Sequence, residues 1–270
     1  MTYNLNIEEL DEKSEKLKKN KLLKQHIFLF CCLKNVSTNN IQLPNEIIRL
    51  IVTFAINPDD IYTNKTLFDI INHKYSYVLS LPSVGHFDVS CVTSMKYLFS
   101  YRCKLPKDLG KWDVSNVEDM KYMFHCCHNC DFDDNLSNWN VSNVKCMSYM
   151  FGSCTKFNLC LINWNVSNVK NMNNMFISCT MFNQSLNNWD VSNVKNMDYM
   201  FAGCSMLNKN FDKWDVSNVE DMTGMFANCR SLNQSFIKWK VNSMAKTRNM
   251  FQGCVKIGKT NKINFASLQP

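Results

Sequence analysis

Six tryptophans recur at a nearly fixed interval: Trp112, Trp139, Trp164, Trp189, Trp214 and Trp239. The steps from Trp139 to Trp239 are all equal, and the step from Trp112 to Trp139 is longer by a two-residue insertion. Each Trp opens a version of one phrase, written at 189–201 as WDVSNVKNMDYMF. A worn copy, FDVSCVTSMKYLF, places Phe87 in the Trp slot one regular step before Trp112. A fixed period of this length marks a stacked repeat architecture. No single repeat can bury its own apolar side, so neighbouring repeats must do it for each other.

One repeat, Leu186 to Leu207, shows what each rung encodes. Leu186, Trp189 and Val191 fit the spacing L-x-x-L-x-L, and Trp189 and Val191 alternate as on a short strand with one buried face. Val194, Met197, Met200 and Phe201 recur at steps of three and four, which predicts a short helix. Ser192 precedes that run as an N-cap, and Ser115 with Glu118 and Ser217 with Glu220 have capping-box spacing. Cys204 and Leu207 then return the chain to the next strand. Aligned, the copies form apolar columns of Trp, Val and Phe, with a Cys column at Cys127, Cys154, Cys179, Cys204, Cys229 and Cys254. Polar columns are as regular. Asn116, Asn143, Asn168, Asn193 and Asn218 line up, and their amides are expected to bond along the stack. The end copies drift from the pattern, as capping rungs do.

The phrase NWDVSNVKNMDYMFAGCSMLNKNF resembles the BspA-like leucine-rich repeats, in the 25-residue form of mollicute surface proteins and large DNA viruses. The resemblance covers about residues 84–255. It implies an α/β repeat fold, a leucine-rich-repeat-like solenoid of about seven rungs, each a short strand plus a short helix. It also implies a binding role and carries no catalytic residues. A small helical module precedes the rungs, so the expected division is 1–40, 41–82 and 83–270.

Residues 41–82 resemble an F-box. Leu43, Pro44, Glu46 and Ile47 match its L-P-x-E-[IL] opening, and Pro58, Asp60 and Ile61 match its P-x-D-L step. Tyr75 departs from the family's Trp. The resemblance implies docking of Leu43, Pro44, Ile47, Ile48 and Ile51 onto the Skp-type adaptor of a cullin ubiquitin ligase. The alternative is a plain helical cap over the first rung.

Composition narrows the function. The amino-terminal stretch MTYNLNIEELDEKSEKLKKNKLLKQ is charged, with no signal-peptide pattern. The run 27–33 is far too short to cross a bilayer, so no membrane role is expected. The 14 cysteines are then expected as reduced thiols in a cytoplasmic setting, the host cytoplasm for a viral chain. Asn, Lys and Ile are abundant, as in an AT-rich genome. HCCHNC at 125–130 holds one C-x-x-C pair, but a zinc site needs four ligands and no second pair exists. A bulged loop at the two-residue insertion explains it as well. The Cys column has spacing open to disulfides, or it holds small buried residues. No phosphate loop and no nucleophile motif is present, so no enzyme and no cofactor is expected.

The net charge of +7 concentrates at the carboxyl end, where no acidic residue follows Asp221. Lys238, Lys240, Lys246 and Arg248 are therefore candidates for weak polyanion binding. The slot before Trp varies between copies, which makes His86, Lys111, Asn138, Asn163, Asn188, Lys213 and Lys238 the target-binding candidates. The expected function is a non-enzymatic protein-interaction protein. Its solenoid would bind a target, and its F-box-like module would recruit a ligase. The alternatives are a surface or adhesion repeat protein and a polyanion or nucleic-acid binder.

Overall fold

Successive repeats join through parallel bridges, one per repeat: Ser94 with Asp119, then Cys146, Asn171, Asn196, Asp221 and Lys246 in turn. The computed structural model describes residues 87–132 and 134–258. All of them fall in the second of two units into which the chain divides, Ile61–Pro270. The helical segment read at 5–33, the F-box-like residues Leu43, Pro44, Ile47, Ile48 and Ile51, and His86 lie outside the described residues.

The helix expected over 194–201 does not form, and the described residues contain no α-helix. The segment is instead a ribbon of turns. Met200 donates its N–H to Met197 O at 3.2 Å, Ala202 to Tyr199 O at 3.1 Å and Cys204 to Phe201 O at 2.9 Å. The alternate N–H groups leave the rung altogether. Those of Met197, Tyr199, Phe201 and Gly203 donate to Asp221, Thr223, Met225 and Ala227 of the next repeat at 2.7–2.9 Å. From Met197 to Cys204 every main-chain donor thus has an acceptor, four within the rung, with Asp198 N–H donating to Asn196 Oδ1, and four on the next repeat. An isolated helical turn would leave its first donors orphaned and bear the full nucleation penalty. The ribbon brings the residues at steps of three and four inward as a helix would, which is why the apolar spacing is the same.

The ribbon needs left-handed backbone. Tyr97, Tyr122, Tyr149, Asn174, Tyr199, Gly224 and Asn249 occupy one column and all have φ between 51° and 61°. Each is the third residue of a turn, the position where type II geometry requires positive φ. Ser192 is not a helix cap. Its N–H and hydroxyl both donate to Asp190 Oδ1, at 3.1 and 2.6 Å, closing an Asx turn. The capping-box glutamates bond across repeats instead, Glu118 with Lys145 at 2.8 Å and Glu220 with Lys195 at 3.3 Å.

The core is the set of columns. Trp189, Val191, Val194, Met197, Met200 and Phe201 are each 2% exposed or less. Phe176, Phe201 and Phe226 stack face to face at 5.5 Å between centroids. Each buried large side chain contributes roughly 1.5–3 kcal/mol, offset by the entropy of ordering the chain. The insertion before Trp139 keeps the register. Phe132 packs edge-on against Phe124, Phe151 and Phe157, and Cys130 is buried. In the last described repeat Met244 takes a Val slot and is 86% exposed, so the columns open there.

Candidate functional site

The polar groups of the repeat are mostly committed to its neighbours. Indole Nε1 of Trp164, Trp189, Trp214 and Trp239 donates to the carbonyl of Leu136, Leu161, Leu186 and Phe211 of the preceding repeat, at 2.8–3.0 Å. The Asn column does not bond amide to amide. Asn116, Asn143, Asn168, Asn193 and Asn218 each donate Nδ2 to the serine carbonyl one repeat earlier, at 2.7–2.8 Å.

The Cys column bonds in the same direction. Cys154, Cys179, Cys204, Cys229 and Cys254 aim Sγ at the Phe carbonyl of the preceding repeat at 2.9–3.1 Å. Burial pushes the Cys204 and Cys229 thiols well above the ordinary range. A hydrogen bond with Cys130 holds the Cys127 thiol down, but its bond with Cys154 and its burial outweigh that and push it up to about 12. Thiols held in this state are poor nucleophiles and poor metal ligands. In HCCHNC, Cys127 and Cys130 donate to Phe99 O and Arg102 O, and His128 is exposed. Among the described residues no group of three or more metal-binding side chains converges.

The slot before Trp forms one exposed column of Lys111, Asn138, Asn163, Asn188, Lys213 and Lys238. Two of its members touch, Lys213 Nζ donating to Asn188 Oδ1 at 3.4 Å. Lys111 is paired with Asp108 at 3.0 Å. At the carboxyl end, Lys238, Lys240, Lys246 and Arg248 are all exposed. Repeat pairing changes their surroundings. Lys246 pairs with Asp221 at 3.4 Å. Asp215, held below the ordinary carboxylate range first by Ser217 and lastly by Lys240, sits beside that lysine. Asp212, lowered mainly by Asn187, also feels Lys238. The absence of acids after Asp221 is thus partly answered by acids one repeat earlier.

A further surface lies on the left-handed column, and sequence reasoning passed over it. Tyr97 and Tyr122 stack at 4.7 Å and 10°, and Tyr122 and Tyr149 at 4.5 Å and 13°. His125 meets Tyr101, Tyr122 and Tyr149 edge-on at 5.2–5.7 Å. Lys96 and Lys121 hold their ammonium groups 5.4 Å from the rings of Tyr97 and Tyr122. Gly152 leaves room for the imidazole, since a Cβ there would lie 3.0 Å from His125 Cδ2. Burial first, then His128, disfavours the charged form of His125. The available signal was the residue before the buried Met-Phe or Leu-Phe pair, Tyr in four copies: KYLF, KYMF, SYMF and DYMF.

No curated protein and no solved structure matches the chain. One family model matches twice, over residues 70–176 and 159–264, and the two matches together span well over half of the sequence. Their boundaries enclose the paired repeats described above. The chain therefore belongs to the repeat family described as Mycoplasma protein of unknown function, DUF285.

Proposed function

We propose that the chain is a non-enzymatic protein-interaction protein, built as a leucine-rich-repeat-like solenoid whose rungs are turn ribbons. The observation that supports this reading is where the variation falls. Trp, Cys and Asn side chains are committed to bonds between neighbouring repeats. Residues that differ from copy to copy, such as Lys111, Asn138 and Lys213, are exposed. A regular frame that leaves its variable side chains in solvent suits recognition of another macromolecule.

In this reading the F-box-like stretch Leu43, Pro44, Ile47, Ile48 and Ile51 docks a Skp-type adaptor and so links the bound target to a cullin ubiquitin ligase. Its support is the L-P-x-E-I pattern. Affinity purification of the full chain after mild crosslinking in cells tests both halves. Recovery of a target together with the adaptor is expected, with the adaptor lost from the variant Leu43→Ala, Pro44→Ala. A purification that yields a target without adaptor removes the ligase role, and one that yields no partner removes the interaction reading.

The second reading, a surface or adhesion repeat protein, draws on the Mycoplasma family match. Labelling of intact cells with a membrane-impermeant reagent separates it from the first. Polyanion binding by Lys238, Lys240, Lys246 and Arg248 is a third reading. Partial neutralisation by Asp212, Asp215 and Asp221 makes that binding weak and salt-sensitive.

A further inference from the structure

The tyrosine column combines features that the rest of the described surface does not share. Tyr97 and Tyr101 are 41% and 71% exposed, and Tyr122 and Tyr149 are half-buried beside them. A bulky side chain at positive φ is costly, and Asn or Gly relieves it. This column already uses Asn174, Gly224 and Asn249 elsewhere. The first three described repeats nevertheless carry Tyr, on φ of 57° to 61°. Stacking between the rings returns part of that strain. The rings stay accessible along their edges, and tyrosine is enriched where proteins bind partners.

The flanking charge indicates what kind of partner. In the column next to the tyrosines, the residues run Lys96, Lys121, Ser148, Asn173 and Asp198. The two lysines sit beside Tyr97 and Tyr122, whereas the acid, Asp198, acts on the Tyr149 end of the stack, whose phenol is raised by burial first, then by Tyr122 and Asp198. Asp119 Oδ1 already accepts the main-chain N–H of Lys121 at 2.8 Å, and Glu118 pairs with Lys145. Base stacking is disfavoured, because the Tyr97, Tyr122 and Tyr149 faces already lie on one another. What remains is a row of phenol edges and hydroxyls beside two ammonium groups. That chemistry accepts carboxylates and main-chain carbonyls.

We propose that the Tyr97–Tyr122–Tyr149 column, with Tyr101, Lys96 and Lys121, is the docking surface for an acidic segment of a protein partner. This rests on the interaction reading above and gives it a place and a partner chemistry. The acidic segment runs along consecutive repeats. Its carboxylates meet Lys96 and Lys121, and its main chain or apolar side chains lie on the ring edges.

The test titrates the full chain with fluorescein-labelled polyglutamate and, separately, with labelled oligothymidylate of matched charge. The variant Tyr97→Asn, Tyr122→Asn, Tyr149→Asn places in each repeat a residue the same column already accepts at the same φ, so its thermal melt is expected to stay close to the parent's. Polyglutamate affinity should fall at least about tenfold in this variant. Lys96→Asn with Lys121→Asn keeps the rings and should lower both the affinity and its salt dependence. Neutralising Lys238, Lys240, Lys246 and Arg248 together should remove at most a weak, salt-sensitive part of polyglutamate binding and leave the tyrosine-dependent part in place. The proposal is overturned by equal polyglutamate binding with and without the tyrosines, by loss of binding only in the carboxyl-terminal variant, or by tighter binding of oligothymidylate than of polyglutamate. Each of those results leaves the crosslinking outcome, and so the general interaction reading, untouched.

Discussion

Trp189→Phe isolates one of the bonds that tie neighbouring repeats together. Trp189 is 2% exposed, and its Nε1 donates to Leu161 O at 2.9 Å. Phe keeps an aromatic ring in the slot but has no donor, as Phe87 does naturally at 4% exposure. The acceptor that loses the indole sets the magnitude. Leu161 O also accepts the main-chain N–H of Trp164 at 3.1 Å, so it is not left without a partner. The loss is then the net worth of one hydrogen bond, about 0.5–1.5 kcal/mol, and not the larger penalty of a stranded buried group. The smaller ring leaves a void that adds on the order of 1 kcal/mol. The sum is about 1.5–2.5 kcal/mol, against about 3–5 kcal/mol for Trp189→Ala. Urea melts of the three proteins at a common m-value measure both differences. If Trp189→Phe is as stable as the parent, the indole bond contributes nothing. If it is as damaging as Trp189→Ala, ring volume is not what fills the slot. Either result refutes the reasoning.

Mass-spectrometric mapping after a short alkylation pulse should find Cys91, Cys103 and Cys160 labelled, because they are exposed, and Cys179, Cys204 and Cys229 labelled only after denaturation. Asp198→Asn should stabilise the fold at neutral pH. Burial first, then Asp221, raises the Asp198 carboxyl, so its ionised form opposes folding above that raised value. The opposition fades as pH falls through it, and the gain from Asn in urea melts should shrink on acidification accordingly. Gly224→Ala should destabilise by at least about 1 kcal/mol. The new Cβ would lie 2.4 Å from the Tyr199 ring at φ +59°, and Tyr199→Asn in the same chain should recover part of the loss in thermal melts.

The repeat period, the membership of each buried column and the exposure of the slot before Trp were legible because they follow from residue identity alone. A Trp returning at one fixed step has one simple explanation, and Val191 and Phe201 sit inside as their columns require. The local conformation was not legible. Val194, Met197, Met200 and Phe201 carry helical spacing, and the turn ribbon satisfies the same spacing with its donors shared between repeats. Apolar periodicity reports which side chains point inward and is silent on where the N–H groups go. The Asn column was read correctly as polar and regular, but its acceptor is a main-chain carbonyl of the preceding repeat. The surroundings of Lys240 and Lys246 were not legible, because the acids that meet them, Asp215 and Asp221, precede them by a whole repeat. The tyrosine column was hidden by its position, since Tyr at positive φ runs against the preference of the residue.

The sameness of the junctions has a genetic corollary. Between the repeats of Trp189 and Trp214, four main-chain N–H groups donate forward, from Met197, Tyr199, Phe201 and Gly203. Glu220 N–H, Trp214 Nε1, Asn218 Nδ2 and Cys229 Sγ donate back. The junction before it is made from the same atoms in the same register. Within this regular stretch an in-frame duplication or loss of one whole repeat unit therefore presents each flanking junction with a register it already fits, so long as pairs such as Tyr199 and Gly224 stay together. A length change inside the bridged segment would offset donors from acceptors, whereas one in the loop before Trp is absorbed, as the insertion before Trp139 is. Such a gene can lengthen or shorten by unequal recombination within its own coding sequence and still encode a chain that pairs throughout. The length of its repeat stack is then a quantity that changes in whole steps, without a single point mutation in the core.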